Sequence, residues 1–163
     1  MNKFYIICDN IRSLENIGAI FRTADALGVV KIYLCGISGL PPHQNLVSGE
    51  GHLHPKIAKT ALGAEKTIPF EHHKQLFRLI KKLKKEKVQV VALEQSKKSI
   101  DYRKFQPRFP LALIIGNEVK GISKNTLKKT DKVIHLPMLG KKESLNVSVA
   151  FGIAGYHINN SKF

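Results

Sequence analysis

The chain has 163 residues, 43% of them hydrophobic, which is enough for one domain with a substantial core but leaves little room for a second. Lysine and arginine total 27 against 12 acidic residues, which gives a net charge of +15. This excess favours a polyanionic partner such as nucleic acid, because binding phosphates releases their counterions. A basic protein without such a partner is the simpler alternative.

Several other classes of protein are not expected. No apolar run approaches the roughly 20 residues that span a bilayer, and the N-terminus has no signal-peptide pattern, so we expect a cytoplasmic protein without a membrane partner. Cys8 and Cys35 lie in apolar segments, which predicts buried free thiols. His43, His52 and His54 lack the spacing of a ligand set, so no metal is expected.

Short apolar segments alternate with helical patterns along the chain, as is typical of an α/β fold with a mostly parallel sheet flanked by helices. The pattern shows no repeat or boundary, so residues 1–163 are expected to form a single domain. Strands are predicted at Phe4–Cys8, Lys31–Cys35, Thr67–Phe70, Val88–Leu93, Leu111–Ile115 and Val133–Leu136. Helices are predicted at about residues 14–27, 56–63, 72–86, 123–129 and 145–158.

The first predicted helix has a single apolar stripe, at spacings of three and four residues from Ile17 to Leu27. At about 100° per residue, Arg22 lies roughly opposite this stripe. On this pattern alone, Arg22 is interpreted as a surface residue.

Two regions are candidates for contact with a large substrate. The irregular segment from Gly36 to Pro55 is long for a compact domain, and such loops are often functional. The helix at 72–86 is predicted to bury Leu76, Phe77, Leu79, Ile80 and Leu83, and its other side carries Lys74, Arg78, Lys81, Lys82, Lys84 and Lys85. A run of charges like this is usually only a solvated face, and contact with RNA is the alternative.

Three polar clusters follow predicted strands, where open parallel sheets place their ligands. They cover residues 16–24, 116–121 and 140–146. A Rossmann-like nucleotide-binding regulator is a further alternative. It is disfavoured because residues 9–15, after the first strand, contain none of the glycines of a dinucleotide fingerprint.

The clusters resemble, in order, the three motifs of the SpoU/TrmH branch of the SPOUT RNA methyltransferases. They read Asn16-x-Gly18-x3-Arg22-x-Ala24, Gly116-Asn-Glu118-x-x-Gly121 and Leu136-Pro-Met-x-Gly140-x3-Ser144-Leu-Asn-Val-Ser-Val-Ala150. The third motif is the most specific. The resemblance implies an S-adenosylmethionine-dependent methyltransferase that acts on a ribose 2′-hydroxyl of tRNA or rRNA. It also implies a homodimer and a deep C-terminal trefoil knot.

The resemblance further implies residue roles. The cofactor would be held by Leu93, Glu94, Gln95, Gly116, Leu136, Met138, Ser144, Leu145 and Asn146. The catalytic set would be Arg22, Asn16, Glu118, Ser144 and Asn146. The family's motif-one arginine has been treated as a general base, but lowering an arginine pKa from about 13 to neutrality would cost about 8 kcal/mol. We therefore favour Arg22 as a clamp on the phosphate beside the target ribose and on the developing alkoxide.

For the other catalytic candidates, structural alternatives stay open. Asn16 would orient Arg22 or the ribose, or it is the N-cap of the first helix. Glu118 would fix the arginine or the loop, or it serves loop structure alone. The helix at 145–158 is apolar nearly all round and must be buried on more than one side, against a second subunit or within the monomer.

A different class of function is a non-catalytic knotted RNA-binding protein that acts on the ribosome or on tRNA. The intact Arg22, Glu118, Ser144 and Asn146 disfavour it, because such a protein would not need them. The chain is expected to be a catalytic core without an added RNA-binding domain, and the choice between tRNA and rRNA stays open.

Overall fold

The computed structural model describes residues 3–41 and 55–160. They build one seven-stranded sheet of order β3-β2-β1-β6-β4-β7-β5, in which every neighbouring pair of strands is parallel. The strands are β1 Phe4–Asp9, β2 Lys31–Cys35, β3 Phe70–His73, β4 Gln89–Leu93, β5 Ile100–Asp101, β6 Leu111–Gly116 and β7 Lys132–His135. The predicted α/β fold with a parallel sheet is confirmed, and the trefoil knot stays a prediction.

Helices cover both faces of the sheet. They are α1 Leu14–Ala26, α2 Pro55–Ala61, α3 Ala64–Thr67, α4 Leu76–Lys85, α5 Lys124–Leu127 and α6 Val147–Asn160, with a 3₁₀ turn at Tyr102–Lys104. The central strands are buried on both sides, which is why they read as continuous apolar runs. Side chains of β6 alternate between two cores: Leu113 and Ile115 join the core under α1 and α6, whereas Ala112 and Ile114 join the core under α4.

The packing of α2 on α1 requires a glycine at position 18, in the first polar cluster. A Cβ atom at Gly18 would lie 2.0 Å from the Thr60 hydroxyl oxygen and 2.4 Å from the Ile57 carbonyl oxygen. Any side chain at this position would therefore push the two helices apart. The Thr60 hydroxyl also donates to the carbonyl of Glu15 at 3.1 Å, which fixes α2 against the first turn of α1.

Two predicted boundaries were wrong between β2 and β4. The strand predicted at Thr67–Phe70 starts at Phe70, because residues 64–67 form a helical turn instead. The helix predicted from residue 72 starts at Leu76, because His72 and His73 pair with β2. Phe77, which was predicted to face inward, is 51% exposed. Strand pairing and the late helix start thus overrode the apolar periodicity.

Two further differences concern the ends of the sheet and the last helix. Strand β5 was not predicted, since it is only two residues long and carries no pattern. The helix predicted from residue 145 starts at Val147 and extends to Asn160. Cys8 and Cys35 are free and buried, as predicted.

Part of the Gly36–Pro55 segment, including His43, His52 and His54, lies outside the described residues. Within residues 3–41 and 55–160, no three His, Cys, Asp or Glu side chains are grouped so that they could hold a metal ion. None of the helices described is both long enough and apolar enough to span a membrane.

Candidate active site

A cavity of about 300 Å³ opens at the carboxyl ends of β4, β6 and β7, the edge at which parallel sheets bind ligands. Eight of the nine residues predicted to hold the cofactor line it: Leu93, Glu94, Gln95, Gly116, Leu136, Met138, Ser144 and Leu145. The ninth, Asn146, lies between two lining residues but hydrogen-bonds to α1 instead. The loops after three neighbouring strands thus enclose a single space.

Glu94 holds one wall of the cavity in shape. Its carboxylate accepts hydrogen bonds from the backbone N–H groups of Ile122 at 2.7 Å and Gln95 at 2.9 Å. A Cβ atom at Gly121, whose φ is +62°, would lie 2.4 Å from the Glu94 carboxylate oxygen Oε2. A Cβ atom at Gly116 would lie 2.8 Å from the backbone nitrogen of Ile122. Gly116 is therefore required by close backbone approach, and Gly121 by its positive φ.

The opposite wall is tied to the first by Gln95. Its side-chain amide donates to the carbonyl oxygen of Leu136 at 2.7 Å, which joins the loop after β4 to the loop after β7. Leu136 was predicted to hold the cofactor, and its carbonyl oxygen already has an internal donor. A ligand in the cavity would meet the Gln95–Leu136 pair rather than two separate groups.

His135, at the end of β7, also lines the cavity and was not predicted. The Ser99 hydroxyl donates to the carbonyl of Ser96, so it can only accept from His135 Nδ1 at 2.9 Å. This arrangement favours the tautomer of His135 with the hydrogen on Nδ1. No pattern connects positions 99 and 135 in the sequence.

Hydrogen bonds join the three polar clusters directly. The Glu118 carboxylate accepts from the backbone N–H groups of Arg12 at 3.1 Å and Ser13 at 2.9 Å, and from Asn16 Nδ2 at 3.1 Å. Asn146 Nδ2 donates to Asn16 Oδ1 at 3.0 Å. We call this series of side chains the Asn16–Glu118–Asn146 chain. It connects residues up to 130 positions apart and places one residue of each cluster beside the cavity.

The orientation of both amides in this chain is determined at its two ends. A carboxylate only accepts, so Asn16 must turn its Nδ2 towards Glu118 and its Oδ1 towards Asn146. At the other end, Asn146 Oδ1 accepts from the backbone N–H of Ser148 at 2.9 Å and from its hydroxyl at 2.7 Å, and so caps α6. Ser13 caps α1 by accepting from the N–H of Asn16 at 3.1 Å, so the alternative of Asn16 as the N-cap was wrong.

Glu118 is held in its ionised form by these contacts. Burial by itself would raise the pKa of the carboxyl group, but the hydrogen bonds from Ser13, Arg12 and Asn16 outweigh it and lower the pKa below its ordinary value. A fixed negative charge therefore sits where the second cluster meets the first.

The structure does not bring Arg22 into this set. Arg22 is exposed on α1, and within residues 3–41 and 55–160 it has no hydrogen-bond or ion-pair partner. It follows Asn16 by six residues, which places it about 9 Å along the helix and about 120° around it. Ser144 is exposed and lines the cavity. The structure thus assembles Asn16, Glu118 and Asn146 beside a cavity that Ser144 lines, and leaves Arg22 apart.

Asn117 and Asn10 are two further residues that hold the site together and were not predicted. Asn117 Oδ1 accepts from the N–H groups of Val119 at 3.0 Å and Lys120 at 2.9 Å, which closes the turn of the second cluster. Its Nδ2 donates to the carbonyl of Asn10 at 2.8 Å. The position of Asn117 inside the Gly-Asn-Glu cluster was a usable signal, whereas Asn10 gave none.

Replacing Glu118 by glutamine tests whether its carboxylate holds the three clusters together. In Glu118→Gln an NH2 group replaces one of the two accepting oxygens and faces a donor. We expect the variant to lower the free energy of unfolding by about 1 kcal/mol at pH 7, a low value because the carboxylate is solvent-exposed. Because the folded-state pKa is lowered, the wild-type advantage is full above the unfolded value of about 4.3. It disappears as pH falls through the lower folded pKa.

Urea unfolding of both proteins between pH 3 and pH 7 measures this difference. The matched control is Glu143→Gln, which changes an exposed carboxylate of the same cavity and should leave stability unchanged at every pH. A Glu118→Gln difference that does not vary with pH would contradict the bracing role.

Comparison with known proteins identifies the family. Residues 3–156 match the model of the SpoU rRNA Methylase family. The TrmH family protein YacO of Bacillus subtilis is 36% identical over 155 residues, which are 95% of this chain and 57% of YacO. The tRNA (guanosine(18)-2′-O)-methyltransferase of Aquifex aeolicus is 32% identical over 158 residues, 96% of this chain and 69% of that enzyme.

A solved structure agrees with these matches. The AdoMet-bound rRNA methyltransferase of Sinorhizobium meliloti superposes with a TM-score of 0.85 at 25% sequence identity, over 100% of this chain and 58% of that one. This chain thus spans a little over half the length of YacO and of the Sinorhizobium enzyme. The resemblance of its three clusters is confirmed, and the chain belongs to the SpoU rRNA methylase family.

Proposed function

We propose that this protein transfers a methyl group from S-adenosylmethionine to a ribose 2′-hydroxyl of tRNA or rRNA. The observation that carries the proposal is the Asn16–Glu118–Asn146 chain, which joins the three clusters beside a cavity large enough for a small molecule. Family membership, the name of the Aquifex relative and the AdoMet in the Sinorhizobium structure support the proposal. An RNA substrate and two unpaired buried thiols favour a cytoplasmic location.

The residues of the cavity suit this cofactor. Apolar side chains such as Leu93, Leu136 and Leu145 can pack on an adenine ring, and glycines allow close approach to the backbone. Carboxylates of Glu94 and Glu143 line the same space and favour a cation there. When bound, S-adenosylmethionine supplies an electrophilic methyl group on a positively charged sulfonium.

The protein's own contribution is mainly orientation. A ribose hydroxyl is a poor nucleophile, so aligning it with the methyl group accounts for much of the rate. Asn16 Nδ2 and Asn146 Nδ2 each use one N–H inside the Asn16–Glu118–Asn146 chain. The second N–H of each amide is left for a ribose or phosphate oxygen. The hydroxyl oxygen gains the methyl group and loses its proton to solvent or a phosphate. Glu118 acts by holding the amides in place.

We further propose that the protein acts as a homodimer that pairs through α6. The outer side of this helix exposes 51% of Val149, 40% of Ile153 and 48% of Tyr156, at the i, i+4, i+7 spacing of one apolar stripe. A stripe of this kind on a soluble surface marks a partner site. Helix α1 packs beside α6 on the same face of the sheet, and we propose that pairing this layer with a copy of itself brings the exposed Arg22 to the partner.

The dimer is tested by Ile153→Glu, which places a charge in the centre of the stripe. We expect the variant to be monomeric at micromolar concentration by size-exclusion chromatography with light scattering, where the wild type is a dimer. The control is Leu62→Glu, because Leu62 is 66% exposed outside the stripe. A monomeric wild type, or an Ile153→Glu dimer of unchanged affinity, would contradict the proposed pairing.

The activity is tested with methyl-labelled S-adenosylmethionine and total tRNA or rRNA, followed by digestion and detection of 2′-O-methylnucleosides. Arg22→Ala should lower methyl transfer by about 10² to 10³, the usual loss when one stabilising donor is removed. Lys66→Ala, which removes an exposed cation of α3, should be unaffected. RNA binding without methyl transfer would instead assign the protein to the non-catalytic alternative.

A mixture of two inactive variants shows whether Arg22 acts across the dimer. In a one-to-one mixture of Arg22→Ala and Asn146→Ala, half of the dimers contain one subunit of each variant. If Arg22 serves the partner's site, one of the two sites in each mixed dimer has both residues intact. About a quarter of the wild-type activity should then return. If nothing returns, Arg22 does not act in trans. Separately, a failure of S-adenosylmethionine to bind the wild-type protein in calorimetry would show that the proposed function is wrong.

A further inference from the structure

The positive charge of this chain is concentrated on one surface. Segments 74–87 and 120–132 hold twelve lysines and arginines but only two carboxylates. All twelve cations are exposed, on or beside α4 and α5, and we call them the basic surface. They lie on the opposite face of the sheet from α1 and α6, because α4 covers the second core.

The outer side of α4 presents its cations in a row. Arg78, Lys81 and Lys85 follow one another at spacings of three and four residues, which is one helix face. Leu79 and Leu83 are buried on the other side. The helical rise spreads the row over about 10 Å, so it can contact neighbouring phosphates of an extended backbone.

Folding alone does not account for this row. Cations three and four residues apart on a helix repel each other by a few tenths of a kcal/mol per pair. Helix α4 contains no acidic residue that could relieve the repulsion. Across the described part of the chain, Lys84 is the one cation of the basic surface with an ion pair, to Asp131 at 2.7 Å. An anionic partner would remove the repulsion and release counterions.

An exposed aromatic ring interrupts the cations. Phe77 is 51% exposed, and the guanidinium of Arg78 lies 6.0 Å from the centre of its ring. A phenyl ring among cations matches the way proteins bind single-stranded nucleic acid, in which unpaired bases stack on aromatic rings and Arg or Lys contact the phosphates.

The basic surface is continuous with the candidate active site. Lys120 lines the cavity, and α5 leads from its loop towards Lys128 and Lys129. The side chain of Lys84 donates to the carbonyl of Lys129 at 3.0 Å, which joins the end of α4 to this segment. Helix α4 begins at the carboxyl edge of the sheet, directly after β3. A polymer on this surface can therefore reach the cavity while α6 pairs with a second copy.

We propose that the basic surface binds RNA outside the target nucleotide, with the row on α4 contacting phosphates and Phe77 stacking on an unpaired base. The proposal rests on the proposed function, whose substrate it places on a surface of this chain. It gives the domain a substrate-binding site of its own, distinct from the cavity.

The test compares two triple variants with the same change in net charge. Arg78→Ala/Lys81→Ala/Lys85→Ala removes three cations of the row, and Lys3→Ala/Lys66→Ala/Lys104→Ala removes three exposed lysines elsewhere. Binding of fluorescein-labelled, unfractionated tRNA is measured by anisotropy at several salt concentrations. The row variant should bind at least about tenfold more weakly, with the slope of log K against log salt reduced by about 2. The control should stay within about twofold.

Phe77 is tested separately. Phe77→Ala should weaken binding of the same tRNA at least about fivefold, because one stacked base is lost. Phe77→Tyr, which keeps the ring, should bind like the wild type. Equal binding by the Ala variant would contradict the stacking role, and equal losses in both triple variants would show that net charge, not this surface, binds RNA.

Two further measurements separate this inference from the proposed function and from a lipid partner. Calorimetry with S-adenosylmethionine and methyl transfer report on the function alone: if both succeed and the row variant binds tRNA normally, only the surface proposal fails. If tRNA binding depends on the row but methyl transfer is absent, only the function fails. Co-sedimentation with phosphatidylserine vesicles that depends on the row, without an effect on tRNA, would assign the surface to lipid and overturn the proposal.

Discussion

The arrangement depends on one carboxylate, that of Glu118. It accepts two backbone N–H groups ahead of α1 and the amide of Asn16, which in turn receives Asn146 from the start of α6. Because a carboxylate only accepts, it sets the direction of every hydrogen bond in this series. Three loops that follow different strands are thus held in one relative position before any ligand arrives, which is what catalysis by orientation requires.

The two faces of the sheet carry surfaces of different chemistry. The face covered by α1 and α6 carries the polar chain and an apolar stripe suited to a second copy, whereas the face covered by α4 carries the basic surface. The cavity opens at the edge between them, where Glu94 fixes the loops by hydrogen bonds and two glycines let them approach closely. Cofactor, partner subunit and RNA would therefore approach from three directions.

Much of this could be predicted from the sequence, for identifiable reasons. Central strands are continuous apolar runs, and carboxyl ends of parallel strands share an edge, so the sheet and the meeting of the clusters were predictable. The orientation of the Asn16 and Asn146 amides was not, since it depends on a glutamate over 100 residues away from Asn16. Strand β3 was misplaced because its pairing with β2, rather than local pattern, determines where it begins. For Arg22, helical spacing predicted an exposed position and the resemblance predicted a catalytic one. A second subunit would reconcile the two.

The central claim is that Asn16 and Asn146 act as one unit oriented by their mutual hydrogen bond. The direct measurement is a double-mutant cycle on kcat/KM for methyl transfer, with Asn16→Ala, Asn146→Ala and the double variant. The account predicts strong coupling, with the double variant little slower than the worse single variant and a coupling energy of about 1 to 3 kcal/mol. If the two substitutions have additive effects on the activation free energy derived from kcat/KM, the claim is contradicted.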